Sequence, residues 1–167
     1  MKSISIIGPE SSGKTTLSIL LSKILKGKYV DEYAREYLNN KKKYSISDLD
    51  KIALNQNKKI KIGFKSKNKF LISDTSTLVI EIWSILKYKK VSDLIKRKSN
   101  DEKFDYYLLC KPDIPWYYDS LRENPNDRQI IFDYYEKLLN KRKINFKIID
   151  GKLHNRINIS LDFILNN

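Results

Sequence analysis

Residues 8–15 read Gly-Pro-Glu-Ser-Ser-Gly-Lys-Thr, and no other stretch limits the possible folds as tightly. In the spacing G-x-x-x-x-G-K-S/T, Gly8 and Gly13 let the backbone turn so that successive N–H groups converge on one point. An anion such as a phosphate chain fits there, with the Lys14 cation on its β and γ groups and the Thr15 hydroxyl set to ligate Mg²⁺. Glu10, Ser11, Ser12 and Thr16 complete the candidate nucleotide-binding set. The flanks agree with the pattern. Ile4-Ser5-Ile6-Ile7 reads as a short buried strand, and Leu17, Leu20, Leu21, Ile24 and Leu25 recur at helical spacing. Strand, loop and helix in this order put a helix N-terminus, with its partial positive charge, behind the anion.

The remainder of the chain repeats the alternation. Strands are expected at 3–7, 29–30, 70–74, 106–110 and 146–150. Helices are expected at 14–26, 33–40, 47–66, 76–88, 127–141 and from Gly151 to about residue 165. Ser47 with Asp50 reads as the cap of the third helix. Alternation of this kind predicts an α/β fold with helices on both faces of a parallel sheet. The expectation is a P-loop NTPase of the nucleoside or nucleotide kinase type, five strands in the order 2-3-1-4-5. Ligands then bind at the carboxyl ends of the strands. With 167 residues, no repeat and no linker, the chain is expected to form a single domain over 1–167, with a lid at 112–128.

Composition narrows the setting. No apolar run is long enough to span a membrane, and the chain opens directly into a strand, so neither an anchor nor a signal peptide is expected. One cysteine, Cys110, excludes an internal disulfide and fits a reducing cytoplasm. The formal charge of +13 is carried mostly by lysines scattered along the chain, since only six basic residues are arginines. Scatter of this kind favours solubility and attraction of anionic nucleotides over a nucleic-acid surface. The oligomeric state stays open.

Strand ends supply the other candidates. Asp74 closes the third strand, where phosphate-loop enzymes place a carboxylate for Mg²⁺; the competing role is a helix cap. Asp31 and Glu32 end the second strand, and either can take the proton of an acceptor hydroxyl. Arg35 and Glu36 follow as candidate substrate contacts. The segment from Asp113 to Arg128 is long, polar and proline-rich. Its Arg122 and Arg128 are candidates to stabilise charge on a transferring phosphate. Trp83 lies among Ile80, Ile82, Ile85 and Leu86 and is assigned to the core, whereas Trp116 is a candidate to stack on a ring. His154 has no sequence partner. Cys110-Lys111-Pro112-Asp113 approaches the guanine-reading N/T-K-x-D but has the wrong first residue. Asp74-Thr75-Ser76-Thr77 likewise lacks the D-x-x-G of a switch GTPase.

Several segments together resemble the ribosylnicotinamide kinase domain of NadR-type proteins. They are Gly8 to Leu17, Glu32-Tyr-Ala-Arg-Glu-Tyr-Leu38, Ile72-Ser-Asp-Thr75, Ile82-Trp83, Leu108 to Trp116, and Asp119 to Arg128. The resemblance implies transfer of the ATP γ-phosphate to the 5′-hydroxyl of nicotinamide riboside, with Mg²⁺, in NAD biosynthesis. The family usually has proline where Asp31 stands, which makes Glu32 the likelier acceptor-side carboxylate, and a glycine where Ser120 stands. Full-length family members also carry an adenylyltransferase domain with H-x-G-H and a DNA-binding module; with one histidine, this sequence is expected to have neither activity. The expected function is therefore an ATP-dependent kinase for a small nucleoside, with GTP left open as donor. Another nucleoside or nucleotide kinase, and a nucleotide-binding regulatory module, are the alternatives.

Overall fold

The computed structural model describes residues 1–39, 41, 43–118 and 126–166. Within them the chain runs β1 (Lys2–Ile7), α1 (Lys14–Ile24), β2 (Lys28–Val30), α2 (Tyr33–Leu38), α3 (Ile46–Phe64), β3 (Phe70–Asp74) and α4 (Thr77–Tyr88). It continues with α5 (Asp93–Asp101), β4 (Tyr106–Cys110), α6 (Arg128–Lys141), β5 (Phe146–Ile149) and α7 (Leu153–Leu165). The five strands form one sheet in the order β2-β3-β1-β4-β5, every pairing parallel. This is the expected topology. Its central strand, β1, delivers the phosphate loop to the middle of the sheet's carboxyl edge.

Alternation along the strands sorts the core onto two faces. Ile7, Leu71, Tyr107 and Leu109 point to one side, under α3, α4 and α6, where Ile60, Ile82, Phe132 and Leu139 meet them. Ile4, Ile6, Ile72, Tyr106 and Leu108 point to the other, against Leu17 and Leu21 of α1 and Ile164 of α7. A third cluster joins Ala34 and Leu38 of α2 to Leu49, Ile52 and Ala53 of α3, Ile80 of α4 and Ile95 of α5. That satellite core anchors the short second helix, which by length alone would not be stable.

Two sequence expectations need correction. The cap of α3 is Ser45 with Asp48, not Ser47 with Asp50. The Asp48 carboxylate accepts from the Ser45 N–H at 2.8 Å and is further held by Tyr37 and Lys41. These bonds, Lys41's foremost, hold its carboxyl far below the usual range. Asp50 instead accepts from Ser92, the N-cap residue of α5. Helix α5 itself was not foreseen. Only Ile95 and Ser99 of its nine residues are buried, so the apolar period is too thin to announce it, although Ser92 caps it by accepting from the Ile95 N–H.

Candidate active site

The turn from β1 into α1 is built on positive φ angles, at Gly8 (137°), Ser11 (52°) and Gly13 (82°). A Cβ on Gly8 would lie 2.6 Å from the Cys110 carbonyl oxygen, so only glycine lets the loop pass β4 this closely. Side chains hold the carbonyls of the loop, and those that hold Ser11 O and Ser12 O lie outside the cavity lining. Pro9 O accepts from Ser12 Oγ and from Lys14 Nζ, both at 2.7 Å. Ser11 O accepts from Arg128 at 3.1 Å, and Ser12 O from Arg156 at 2.8 Å. A peptide plane whose C=O is held outward turns its N–H the other way, into the loop's hollow.

Beside the loop lies a cavity of about 260 Å³. Residues 8–16 form its floor. Glu32, Ala34 and Arg35 form one wall, Val79, Ile82, Trp83, Leu86 and Lys87 of α4 another, and Ile131 and Tyr135 of α6 close it. Lys14 and Thr15 of α1 thus face one space with Glu32, which precedes α2.

The acidic candidates separate. Glu32 keeps 22% of its side chain exposed and pairs with Arg35 Nε at 3.2 Å. Burial, and then the charge of Asp74, push its carboxyl above the ordinary glutamate range, while Lys14 and Arg35 oppose the shift. Asp31 and Glu36 turn outward, and Lys59 Nζ pairs with them at 3.0 and 2.9 Å. Neither lines the cavity. Residue type and spacing do not separate these adjacent carboxylates, and only the family resemblance favours Glu32; the division itself is made by Gln56 of α3. This buried amide accepts from the Tyr33 N–H at 2.7 Å and donates to Asp31 O at 3.3 Å. It fixes the backbone on both sides of Glu32.

Asp74 is 1% exposed. Register places it beside Ile6, next to the loop. Its Oδ2 accepts from Tyr29 at 3.5 Å, and its Oδ1 is buried with no hydrogen-bond partner among the described residues. Burial raises its carboxyl above the usual range, against the pull of Thr15, Lys14 and Arg35. A buried carboxylate oxygen without a donor, beside a hydroxyl, suits a hard divalent cation, so the residues fit Mg²⁺. The competing role, as cap of α4, falls to other groups. Ser76 is the N-cap residue, and Glu102 accepts from the Thr77 N–H at 2.8 Å.

The tryptophans divide differently from the sequence expectation. Trp83 is a cavity wall as well as a packing residue. Its Nε1 donates to Tyr44 at 3.0 Å, with the Tyr44 ring edge-on at 5.1 Å. Trp116 is outside the cavity lining and has Arg128 over its ring at 5.7 Å. Trp83 packs against the third core cluster as expected, and its added role as a cavity wall was not readable because α4 is apolar almost all round, so period alone cannot separate a core face from a site face. Tyr135 and Lys87 also went unforeseen. Burial, then Glu32 and Glu10, raise the Tyr135 phenol well above its usual range, leaving it a hydrogen-bond donor.

Of the arginine-bearing segment, the part before residue 119 packs onto the phosphate loop. Ser11 Oγ accepts from the Tyr117 N–H at 3.2 Å, and Arg128 joins Ser11 O to Ile114 O. Arg122 and Ser120 lie outside the described residues. Asp113, the acid of the guanine-motif lookalike, accepts from the Gly151 N–H at 2.7 Å and from Arg156, so both carboxylate oxygens are engaged. His154 is outside the cavity lining, and its Nε2 meets Asn158 Nδ2 at 3.0 Å.

Among the described residues, no helix is long and apolar enough to cross a membrane. Comparison with known proteins agrees with the fold. The trifunctional NAD biosynthesis/regulator protein NadR of Salmonella typhimurium is 27% identical over 153 residues, covering 87% of this chain. This chain spans only 37% of that relative's length. Two crystal structures of NadR, one with NAD and AMP-PNP and one with NR, superpose on 98% of the chain at a TM-score of 0.81. Sequence identities there are 21% and 20%, and the chain covers 49% and 51% of those proteins. Thymidylate kinase from Candida albicans matches 99% of this chain and 91% of its own at a TM-score of 0.71, with 17% identity. The architecture is thus that of the P-loop kinases. A family model for the AAA domain matches residues 3–156, and the chain belongs to that family.

Proposed function

We propose that the chain is an ATP-dependent kinase for the hydroxyl of a small nucleoside, nicotinamide riboside first among them, with residues 1–167 acting as one kinase domain. One observation carries this reading. A partly buried carboxylate, Glu32, faces the phosphate loop across a single cavity, while its acidic neighbours are drawn off to Lys59. A switch protein needs no such carboxylate; a phosphotransferase needs one where the acceptor's proton leaves.

Loop N–H groups and Lys14 hold the donor's phosphates, and Arg128, at the loop's edge, adds positive charge there. Glu32 accepts the hydroxyl proton, and Arg35 keeps that carboxylate charged between turnovers. Thr15 and Asp74 would hold Mg²⁺, which would offset negative charge on the donor's phosphates. The planar wall of Trp83, fixed by Tyr44, suits an aromatic ring, and the Glu32 carboxylate favours one that is positively charged. The relative crystallised with NR supports that choice of acceptor. With both oxygens of Asp113 engaged, no carboxylate is left there to read guanine, which favours ATP as donor.

A coupled ADP-release screen tests the proposal, with nicotinamide riboside, thymidine, uridine and nucleoside monophosphates as acceptors. The account expects acceptor-dependent release, largest with nicotinamide riboside. Tight nucleotide binding without release by any acceptor would instead support a regulatory module.

A further inference from the structure

Arg156 lies on the first turn of α7 and takes no part in lining the cavity, yet it is only 3% exposed. Its guanidinium reaches three loops at once. Nε donates to Gly151 O at 2.7 Å, one terminal nitrogen to Ser12 O at 2.8 Å, and the other to Lys111 O at 2.9 Å and to Asp113. Those loops follow β5, β1 and β4, which are scattered in sequence but adjacent at the sheet's carboxyl edge. An arginine buried to this degree must have its donors satisfied and its charge balanced, and here Asp113 supplies the balance.

We infer that Arg156 is a positioning residue for the phosphate loop: its hold on Ser12 O aims the Gly13 N–H into the anion site. The chemistry is that of a rigid trans peptide, in which C=O and N–H point opposite ways. Gly13 sits in the left-handed region at φ 82° and has no side chain to resist rotation, so this plane most needs an external hold. Arg128 does the same for the preceding plane through Ser11 O. The two arginines thereby preorganise successive N–H donors, and neither is within the eight-residue motif. The guanidinium fork is required as well as the charge, because a lysine ammonium cannot span three carbonyls and a carboxylate. The inference rests on the phosphate-binding reading of the loop.

The test compares Arg156→Lys, Arg156→Met and Asp113→Asn with the unmodified protein, titrating Mg-ATP and inorganic tripolyphosphate by calorimetry. Melting temperature and the amide NMR signal of Gly13 are followed alongside. Arg156→Lys and Arg156→Met should each weaken both ligands at least tenfold, on the order of the loss of one charge-assisted contact. The Gly13 amide should no longer shift when tripolyphosphate is added. Asp113→Asn, at a partly exposed position, keeps the side-chain shape but removes the balancing charge, so it should lower the melting temperature while leaving the protein folded and weaken both ligands two- to fivefold. It answers the question even if the Arg156 variants do not fold. Asp113→Asn with undiminished affinity, or a folded Arg156→Lys that binds as the unmodified protein does, would overturn the inference alone. Failure of the unmodified protein to bind either ligand would overturn it together with the phosphate-site reading beneath it.

Discussion

The two halves of the cavity are built on different principles. The phosphate half comes from one continuous segment, residues 8–16, whose shape is set by backbone angles at Gly8, Ser11 and Gly13. The acceptor half is assembled from α2, α4 and α6, held by a satellite core and by one amide, Gln56. Local construction tolerates little change and is readable from sequence. Tertiary construction tolerates more change and is nearly silent in sequence, so the second half is where related kinases can diverge in the acceptor they take.

The contrast predicts unequal sensitivities. Lys14→Ala should cost the most, reducing kcat/KM roughly 10³-fold or more through lost stabilisation of the transferring phosphate. Steady-state ADP release checks it, and near-normal turnover would remove the phosphate site. Gly8→Ala should come next. A Cβ facing the Cys110 carbonyl, at a φ that side chains avoid, should cost roughly 2–4 kcal/mol in chemical denaturation. On the acceptor side, Trp83→Ala should raise the acceptor KM about tenfold and leave the ATP KM within about twofold, as loss of one stacked ring implies. An equal rise in both constants would erase the distinction between the halves.

Gln56→Leu sharpens the comparison further. It removes both bonds flanking Glu32 and should cost about 1–3 kcal/mol in stability, lowering kcat with ATP affinity retained. Acid dependence has a definite sign. The Glu32 carboxyl is raised, so activity should fail on acidification at a higher pH than an exposed glutamate would give. Arg35→Gln removes a neighbour that lowers that value, so the acid limb of the kcat profile should move further up. The smallest effect is expected outside the cavity lining, at Asp48. Its carboxyl is depressed in the folded state, so its stabilisation is present at neutral pH and is lost as pH falls through and below the ordinary aspartate range. Asp48→Asn should cost about 1 kcal/mol near neutrality and flatten stability on the acid side.

The strands, the phosphate loop and the strand-end position of Asp74 were legible because each follows from contiguous residues, and the sheet order followed from the fold type that the phosphate loop implies. A period of two marks the strands, and a glycine spacing marks the loop. Helix α5 was not legible, since two buried residues in nine make no stripe. The partition of Asp31 from Glu32 was legible only through the family resemblance, since its physical cause lies in Lys59 and Gln56 more than 20 residues downstream. Arg156 gave no signal at all. It reads as one more cation on a basic chain, and only the convergence of three strand ends reveals its work.

The central claim is that Glu32, and not its neighbour, serves the acceptor across from Lys14. Single-turnover phosphoryl transfer by Glu32→Gln and Asp31→Asn, with saturating ATP and the acceptor that supports the highest rate, tests it most directly. The account predicts a fall of about 10²–10⁴-fold for Glu32→Gln, as loss of a general base gives, and less than about threefold for Asp31→Asn. The reverse order, or equal rates in both, would contradict it.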